Sequence, residues 1–166
     1  MTVSIILDFV EEPAGDLYGA LLSVSTRWCD RFLLVRQDYR WSARALETFT
    51  TLEPFLITSK RSNSWPGTTV GTVGRPPTPG PLVLEYQLVP ASLQILTSSA
   101  KGLYDWTAPE FPEDLALLRP DASVWLGSIA HERDAWLELT EPEWKELQQI
   151  EPRIAVVLKP HQESPS

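Results

Sequence analysis

The chain has 166 residues, 43% of them hydrophobic, with seven tryptophans, which is typical of one domain with a hydrophobic core and excludes a disordered segment. The formal net charge is −8; residues 101–166 hold 6 basic and 13 acidic side chains, a net of −7, which disfavours binding to nucleic acid or to an anionic membrane. The single cysteine, Cys29, excludes an intramolecular disulfide. The N-terminal segment lacks the features of a secretory signal, and its apolar run is too short to cross a bilayer. We therefore expect a soluble, cytoplasmic protein.

The first third of the sequence alternates between strand-like and helix-like patterns. β-Branched and apolar runs predict strands, and apolar positions repeating every three or four residues predict helices. Ser42 is expected to cap the second helix and Glu53-Pro54 to end it, because the residue before a proline avoids the helical region. The predicted elements are a strand over 2–9, a helix over 16–28, a strand over 31–36, a helix from Ser42 to residue 52 and a strand over 55–58.

The middle of the sequence is dominated by residues 59–81, which are rich in Ser, Thr, Gly and Pro and predict a long loop within the domain. In its Trp-Pro-Gly turn, Gly67 can supply a positive φ angle, and we expect the tryptophan to pack the loop onto the body of the protein. A strand over 82–88 and a short helix beginning at Pro90 follow, with Gly102 expected in the left-handed position that closes the helix.

The last third predicts three strands, a helix and a final strand. Thr140 and Glu143 form a capping box, a local pattern that starts a helix. The predicted elements are strands over 115–118, 124–130 and 135–139, a turn at 131–134, a helix after Thr140, a strand over 153–158 and a flexible tail over 161–166. We therefore expect a single α/β or α+β domain over residues 1–160, with a mixed, mostly antiparallel sheet flanked by helices and a C-terminal β-β-β-α-β order.

His131 and Glu132 raise the question of catalysis. A zinc protease helix needs a second histidine one turn after the first, and Ala135 occupies that position, so no metal site is predicted. Histidine titrates near neutral pH, which suits general acid–base catalysis, but the sequence contains no nucleophile elbow, phosphate-binding loop or dinucleotide fingerprint. Cys29 lies in an amphipathic stretch that favours a buried structural thiol. We predict that His131 is a turn residue at a surface, that the protein is not an enzyme, and that it needs no cofactor.

A second cluster of acids and aromatics lies in the segment LYDWTAPEFPEDLALL, residues 103–118. Paired carboxylates can bind a cation or act as a glycosidase-like pair, but the spacing matches no calcium loop. Aromatic anchors, steering charges and backbone-restricting prolines also suit protein recognition. The alternative is that the aromatic side chains cap the core while the acids remain solvated.

The stretch from WPGT through LYDWTAPEFPEDLALLRPDASVWLGSIAHERDAWLELTEPEW, roughly residues 62–147, resembles small uncharacterised bacterial proteins, some of them immunity proteins of polymorphic or contact-dependent toxin systems. The resemblance implies a non-catalytic protein-binding module that neutralises a partner toxin, and the acidic charge fits a basic toxin domain. Occlusion of such a partner would use an acidic and aromatic surface. The predicted partner-binding residues are Asp105, Trp106, Glu110, Glu113, Asp114, His131, Glu132 and Asp134.

Two other functions remain open from the sequence. One is a small hydrolase that uses His131 with nearby carboxylates. The other is a structural or regulatory subunit of a bacterial assembly, whose partner need not be basic. The sequence does not indicate the oligomeric state.

Overall fold

The computed structural model of the protein describes residues 4–71 and 80–162. The chain forms an α+β fold of ten strands and five α-helices in these ranges. Their bounds are β1 Ile5–Phe9, α1 Asp16–Ser25, β2 Arg31–Arg36, α2 Ala43–Leu52, β3 Leu56–Arg61, β4 Ser64–Trp65, β5 Thr68–Thr69, β6 Leu82–Gln87, α3 Pro90–Ser99, β7 Glu113–Leu118, β8 Val124–Ile129, β9 Asp134–Leu139, α4 Glu141–Ile150, α5 Pro152–Ala155 and β10 Leu158–Pro160.

Eight of the strands form one sheet in the order β10-β1-β9-β8-β7-β2-β6-β3, while β4 and β5 form a separate two-stranded hairpin. Every neighbouring pair in the large sheet is antiparallel. The predicted single domain with a mostly antiparallel sheet flanked by helices is therefore confirmed. The C-terminal order also holds, since β7, β8 and β9 precede α4 and β10, with the short α5 inserted between the last two.

Both faces of the sheet centre are buried. Strand β2 reads RFLLVR, and because side chains alternate across a strand, Phe32 and Leu34 join the large core cluster while Leu33 and Val35 join a second cluster on the other side. The large cluster includes buried residues of the helices. Trp65 of the small hairpin completes the second cluster, so β4 and β5 cover the face whose buried cluster contains no residue of a described helix.

Helix starts follow the local signals in the sequence. The Ser42 hydroxyl accepts a hydrogen bond from Ala45 N–H at the start of α2. In α4, the side chains of Thr140 and Glu143 each accept from the other's backbone N–H, at 3.2 and 2.7 Å, which confirms the predicted capping box. These contacts satisfy amide groups that a helix terminus otherwise leaves unpaired.

Two local predictions are wrong. The strand predicted over 153–158 is replaced by α5 and a later β10, because Pro152 starts a helical turn that buries Ile154. Gly102 is extended rather than left-handed, and α3 ends before it at an extended Ala100. At the start of the predicted tail, His161 donates its backbone N–H to Ile6 O and places its ring nitrogen 2.8 Å from Asp8 Oδ2.

The segment 59–81 is more structured than predicted over the part that the structure describes. β3 continues to Arg61, and the β4–β5 hairpin follows at once. Gly67 has φ 82° at the hairpin turn, as expected. Residues 72–79 of the predicted loop, residues 2–3 of the predicted first strand and residues 163–166 of the predicted tail lie outside the described residues. No helix within the described ranges is long and apolar enough to cross a membrane.

Candidate functional site

The two segments that contain the predicted partner-binding residues lie side by side. A 3-10 turn at Leu103–Asp105 contacts a second 3-10 turn at Ala130–Glu132. The Arg133 guanidinium lies 5.3 Å from the centre of the Tyr104 ring and forms an ion pair with Glu12 at 3.2 Å. β7 starts at this end of the sheet, and β8 ends there. Residues 103–114 and 131–134 therefore contribute to one region of the protein.

A cleft of about 460 Å³ opens in this region. Its walls come from the segment that follows β2, from the segment that precedes β7 and from the tip between β8 and β9. Val35 pairs with Glu113 across β2 and β7, which brings the first two segments together. The lining residues are Gln37, Tyr39, Arg40, Thr107, Ala108, Pro109, Glu113 and His131.

Glu113 is a nearly buried carboxyl in this cleft, only 5% exposed. Its Oε1 accepts a hydrogen bond from Gln37 Nε2 at 3.1 Å. Burial raises the pKa of Glu113, the negative charge of Asp114 adds to the increase, and the bond from Gln37 opposes it. The carboxyl can therefore hold a proton more readily than a solvated glutamate, or bind a cation that enters the cleft.

Asp114, the next residue, has a structural environment. It is 3% exposed and has φ 57°, a left-handed conformation that aspartate tolerates better than most residues. Its Oδ2 accepts from Trp65 Nε1 at 2.9 Å and its Oδ1 from Ala130 N–H at 3.1 Å. Burial raises the pKa of Asp114, and these two hydrogen bonds oppose that increase. Asp114 thus joins the β4–β5 hairpin and the end of β8 to the start of β7.

Two of the predicted partner-binding residues have structural contacts instead. Trp106 is fully buried, donates its Nε1–H to the Tyr18 hydroxyl at 3.1 Å and packs edge-on against Phe111. It cannot serve as a surface anchor, which corrects that prediction. The Asp105 carboxylate accepts the backbone N–H groups of Lys101 and Gly102 and so holds the 3-10 turn.

The prediction that Glu113 and Asp114 present their charges on a surface loop is also corrected. They are the first two residues of β7, a strand that lies between β2 and β8 in the sheet. A strand in that position is covered on both faces, so its residues are withdrawn from solvent. Of the two, Glu113 alone lines the cleft.

Four predicted residues remain exposed: Glu110, His131, Glu132 and Asp134. The His131 side chain is 59% exposed, and its Nε2 lies 3.9 Å from Glu132 Oε1, which is longer than a hydrogen bond. Asp134 does not line the main cleft. It lines a smaller one of about 250 Å³, together with Trp136 and the paired Asp8 and His161.

The chemistry available in the cleft comprises one nearly buried carboxyl, an imidazole, an amide, a phenol and a guanidinium. Cys29 lies elsewhere, and burial raises the pKa of its thiol above the ordinary value, which makes it a poor nucleophile. Within residues 4–71 and 80–162, no three His, Cys, Asp or Glu side chains are grouped so as to hold a metal ion.

Sequence reasoning missed Gln37, Tyr39 and Arg40, which form one wall of the cleft. The available signal was their position in a polar segment that directly follows the buried strand β2, since loops at the ends of core strands often carry binding residues. Nothing local indicated that this segment would face Glu113, 76 residues away from Gln37 in the chain.

Comparisons with protein-family models, with curated proteins and with solved structures find no match to this chain. The geometry of the cleft and of its acidic surroundings is therefore the basis for a functional proposal.

Proposed function

We propose that this chain is a non-catalytic protein-binding module, of the bacterial immunity type, that neutralises a basic partner toxin by occlusion. The observation that carries the proposal is a group of exposed acids around an open cleft at one end of the sheet. Exposed acids beside a concave site suit a protein partner of the opposite charge.

The exposed acids near the cleft form no ion pair with a lysine or arginine among the described residues. Among the described residues, neither Glu110 nor Asp134 forms an ion pair, and Glu132 approaches only His131. These charges are part of the net charge of −7 in residues 101–166, given by 6 basic and 13 acidic side chains. Unpaired surface charge of this kind raises association rates with a basic partner and makes them depend on salt.

The aromatic part of the proposed surface is Tyr39 rather than Trp106. Tyr39 is 46% exposed, lines the cleft and packs edge-on against Trp41, which limits its motion. Tyrosine is among the residues enriched at the energetic centres of interfaces, because a rigid ring buries area at a small entropic cost. The revised surface is Glu110, His131, Glu132 and Asp134 with Tyr39 at the cleft.

The test uses a purified toxin domain encoded beside this gene in a bacterial genome. Binding is measured by surface plasmon resonance for the wild type and for the double variant Glu110→Lys/Glu132→Lys. We expect at least a tenfold loss of affinity, about 1.4 kcal/mol, mostly through a slower association rate that no longer rises at low salt. Growth rescue on co-expression with the toxin should fall in parallel.

A matched control reverses two exposed acids at the opposite end of the sheet, Asp30→Lys/Glu141→Lys. Asp30 precedes β2, whose first residue pairs with Leu118, and Glu141 follows β9, so both are remote from the cleft. This control changes the net charge by the same amount and should retain the affinity within about twofold. An equal loss in both double variants would contradict the proposed surface, since only total charge would then matter.

A small hydrolase is the second candidate, because the cleft contains both His131 and a carboxyl, Glu113, whose pKa is raised by burial. A carboxyl of this kind can act as a general acid. Screening ester, amide and glycoside substrates tests this function. It requires an activity that His131→Ala and Glu113→Gln each reduce by 10²-fold or more, the usual contribution of a general acid or base.

A further inference from the structure

The cleft contains a carboxyl, Glu113, that forms no ion pair with the described residues. Glu113 and its neighbour Asp114 are both more than nine-tenths buried, and neither forms an ion pair with a described residue. Buried acids are usually paired or hydrogen-bonded through all their oxygens, because burial of a charge without a partner is unfavourable. The burial of each of these two consecutive acids without an ion pair therefore requires a physical explanation.

For Asp114 the explanation is internal. Both of its oxygens accept an N–H group, one from Trp65 and one from Ala130. Glu113 differs, because only Oε1 has a partner, the amide of Gln37, while Oε2 accepts no hydrogen bond from the described residues. Oε2 is not fully enclosed by protein atoms. Within the described ranges, Trp125 Nε1 is the one fully enclosed polar side-chain atom that has no hydrogen-bond partner. Since Glu113 lines the cleft, the unsatisfied oxygen is open to a ligand that enters it.

The unpaired Oε2 of Glu113 favours a cation as that ligand, because a carboxylate only accepts hydrogen bonds and forms its strongest ones with charged donors. Glu113 is the acidic group of the lining, with the buried Asp114 next to it in β7, and His131 and Arg40 are the basic groups of the lining. Arg40 is exposed and, within the described residues, bonds to neither carboxylate. A cation from outside therefore meets an acceptor that Arg40 leaves unoccupied.

The remaining lining groups favour a guanidinium over an ammonium. The exposed ring of Tyr39 offers a face on which a planar guanidinium can stack. A guanidinium carries five N–H donors in one plane, so it can bond to Glu113 and to a second acceptor such as the Thr107 hydroxyl. The volume of about 460 Å³ falls in the range of ordinary ligand clefts and accommodates one long side chain.

We propose that the cleft binds one arginine side chain of the partner, with its guanidinium against Glu113 Oε2 and the Tyr39 ring. This inference rests on the protein-binding function proposed above and names the anchor that the partner supplies. A buried, charge-assisted contact at the centre of an otherwise polar surface is the usual form of an interface hot spot.

The test titrates the full chain with the peptide acetyl-Gly-Arg-Gly-amide and follows backbone amide shifts by NMR. We expect saturable shifts at Gln37, Glu113 and His131, with a Kd in the roughly millimolar range, as for one anchored side chain. The same peptide with citrulline, a neutral isostere of arginine, should bind at least tenfold more weakly. A lysine peptide should bind more weakly than the arginine peptide. Equal binding of the arginine and citrulline peptides, or of the arginine and lysine peptides, would overturn the assignment.

Variants locate the site. Glu113→Gln keeps the acceptor that Gln37 uses and should abolish the preference for arginine over citrulline. The matched change Glu47→Gln, at an exposed acid of α2 that does not line the cleft, should leave the preference intact. Tyr39→Ala alters an exposed side chain and should weaken the arginine peptide at least threefold, which serves as a second readout should Glu113→Gln perturb the fold. Unchanged preference in Glu113→Gln with native amide shifts would overturn the inference.

The peptide experiment needs no toxin, so its outcome is separate from that of the proposed function. If the cleft binds arginine but the Glu110→Lys/Glu132→Lys variant still binds the partner, the proposed acidic surface is refuted and the arginine site is retained. Loss of partner binding in that double variant without any arginine-specific binding would refute the arginine site alone.

Discussion

The hydrogen bond between Trp65 and Asp114 is expected to hold the β4–β5 hairpin against the sheet, and Trp65→Phe tests it. The substitution removes one N–H donor, at 2.9 Å from Asp114 Oδ2, and retains an aromatic ring in the second core cluster. Trp65 is only 6% exposed, so water cannot readily replace the lost donor. A hydrogen bond to a charged acceptor contributes roughly 1.5–3 kcal/mol to the free energy of unfolding.

That loss corresponds to a decrease in Tm of roughly 3–12 °C, at 2–4 °C per kcal/mol for a domain of this size. Urea unfolding followed by far-UV circular dichroism gives the free energy directly, with an unchanged m-value if the folded state is intact. Trp41→Phe is the matched control, because Trp41 Nε1 donates to the neutral carbonyl of Gln37 at 3.1 Å. The control should cost only about 0.5–1.5 kcal/mol.

A double-mutant cycle with Asp114→Asn separates the bond from the ring. Asparagine tolerates the left-handed conformation at this position but removes the charge. Contacting residues are expected to show a coupling energy of at least about 0.5 kcal/mol. The role assigned to this bond would be refuted by two results together. Trp65→Phe would lower the free energy of unfolding no more than Trp41→Phe does, and the effects in the double-mutant cycle would be additive.

Two further predictions concern stability. Because the pKa of Glu113 is raised in the folded state, its ionised form disfavours folding, so Glu113→Gln should unfold at higher urea than the wild type at pH 7. That stability advantage should disappear as the pH falls below about 4, where glutamates of the unfolded chain are protonated as well. A Glu113→Gln variant that is less stable than the wild type at pH 7 but not at pH 4 would contradict the expected direction of the stability change. Gly127→Ala should destabilise by about 1–3 kcal/mol, since a Cβ would lie 2.3 Å from the Trp136 ring. Gly19→Ala, in an open position of α1, should instead stabilise by roughly 0.5–1 kcal/mol in the same denaturation assay, and equal effects at both glycines would refute the packing argument.

Local patterns in the sequence were sufficient where a structural preference depends on neighbouring residues. The Ser42 cap, the Thr140–Glu143 capping box and the positive φ angle of Gly67 are all confirmed. The hairpin of β7 and β8 was also predicted, and the turn predicted at 131–134 overlaps the 3-10 turn observed at Ala130–Glu132. These features depend on contacts across only a few residues, so alternation, capping and turn chemistry are enough to identify them.

The predictions that failed depend on contacts between distant segments. RIAVVL has the composition of a strand, yet burial of Ile154 below α4 favours a helical turn over its first residues. Trp106 lies in an acidic segment, which suggested a surface anchor. In the fold, however, the Tyr18 hydroxyl, 88 residues away in the chain, accepts a hydrogen bond from the Trp106 side-chain N–H inside the core. Tertiary packing overrides local propensity in both cases.

The sequence by itself determined that acids and aromatics would cluster in residues 103–118 and that a charged turn would follow β8. Only the tertiary structure decided which of those acids holds the fold together and which one is open to a ligand. The pairing of β7 with β2 buried Glu113 beside Gln37, and the hairpin that covers the sheet supplied Trp65 to Asp114. One carboxyl thereby became a structural acceptor, and its neighbour became the open floor of a cleft. Burial and partner geometry are set by contacts between residues far apart in the chain, which a linear pattern does not encode.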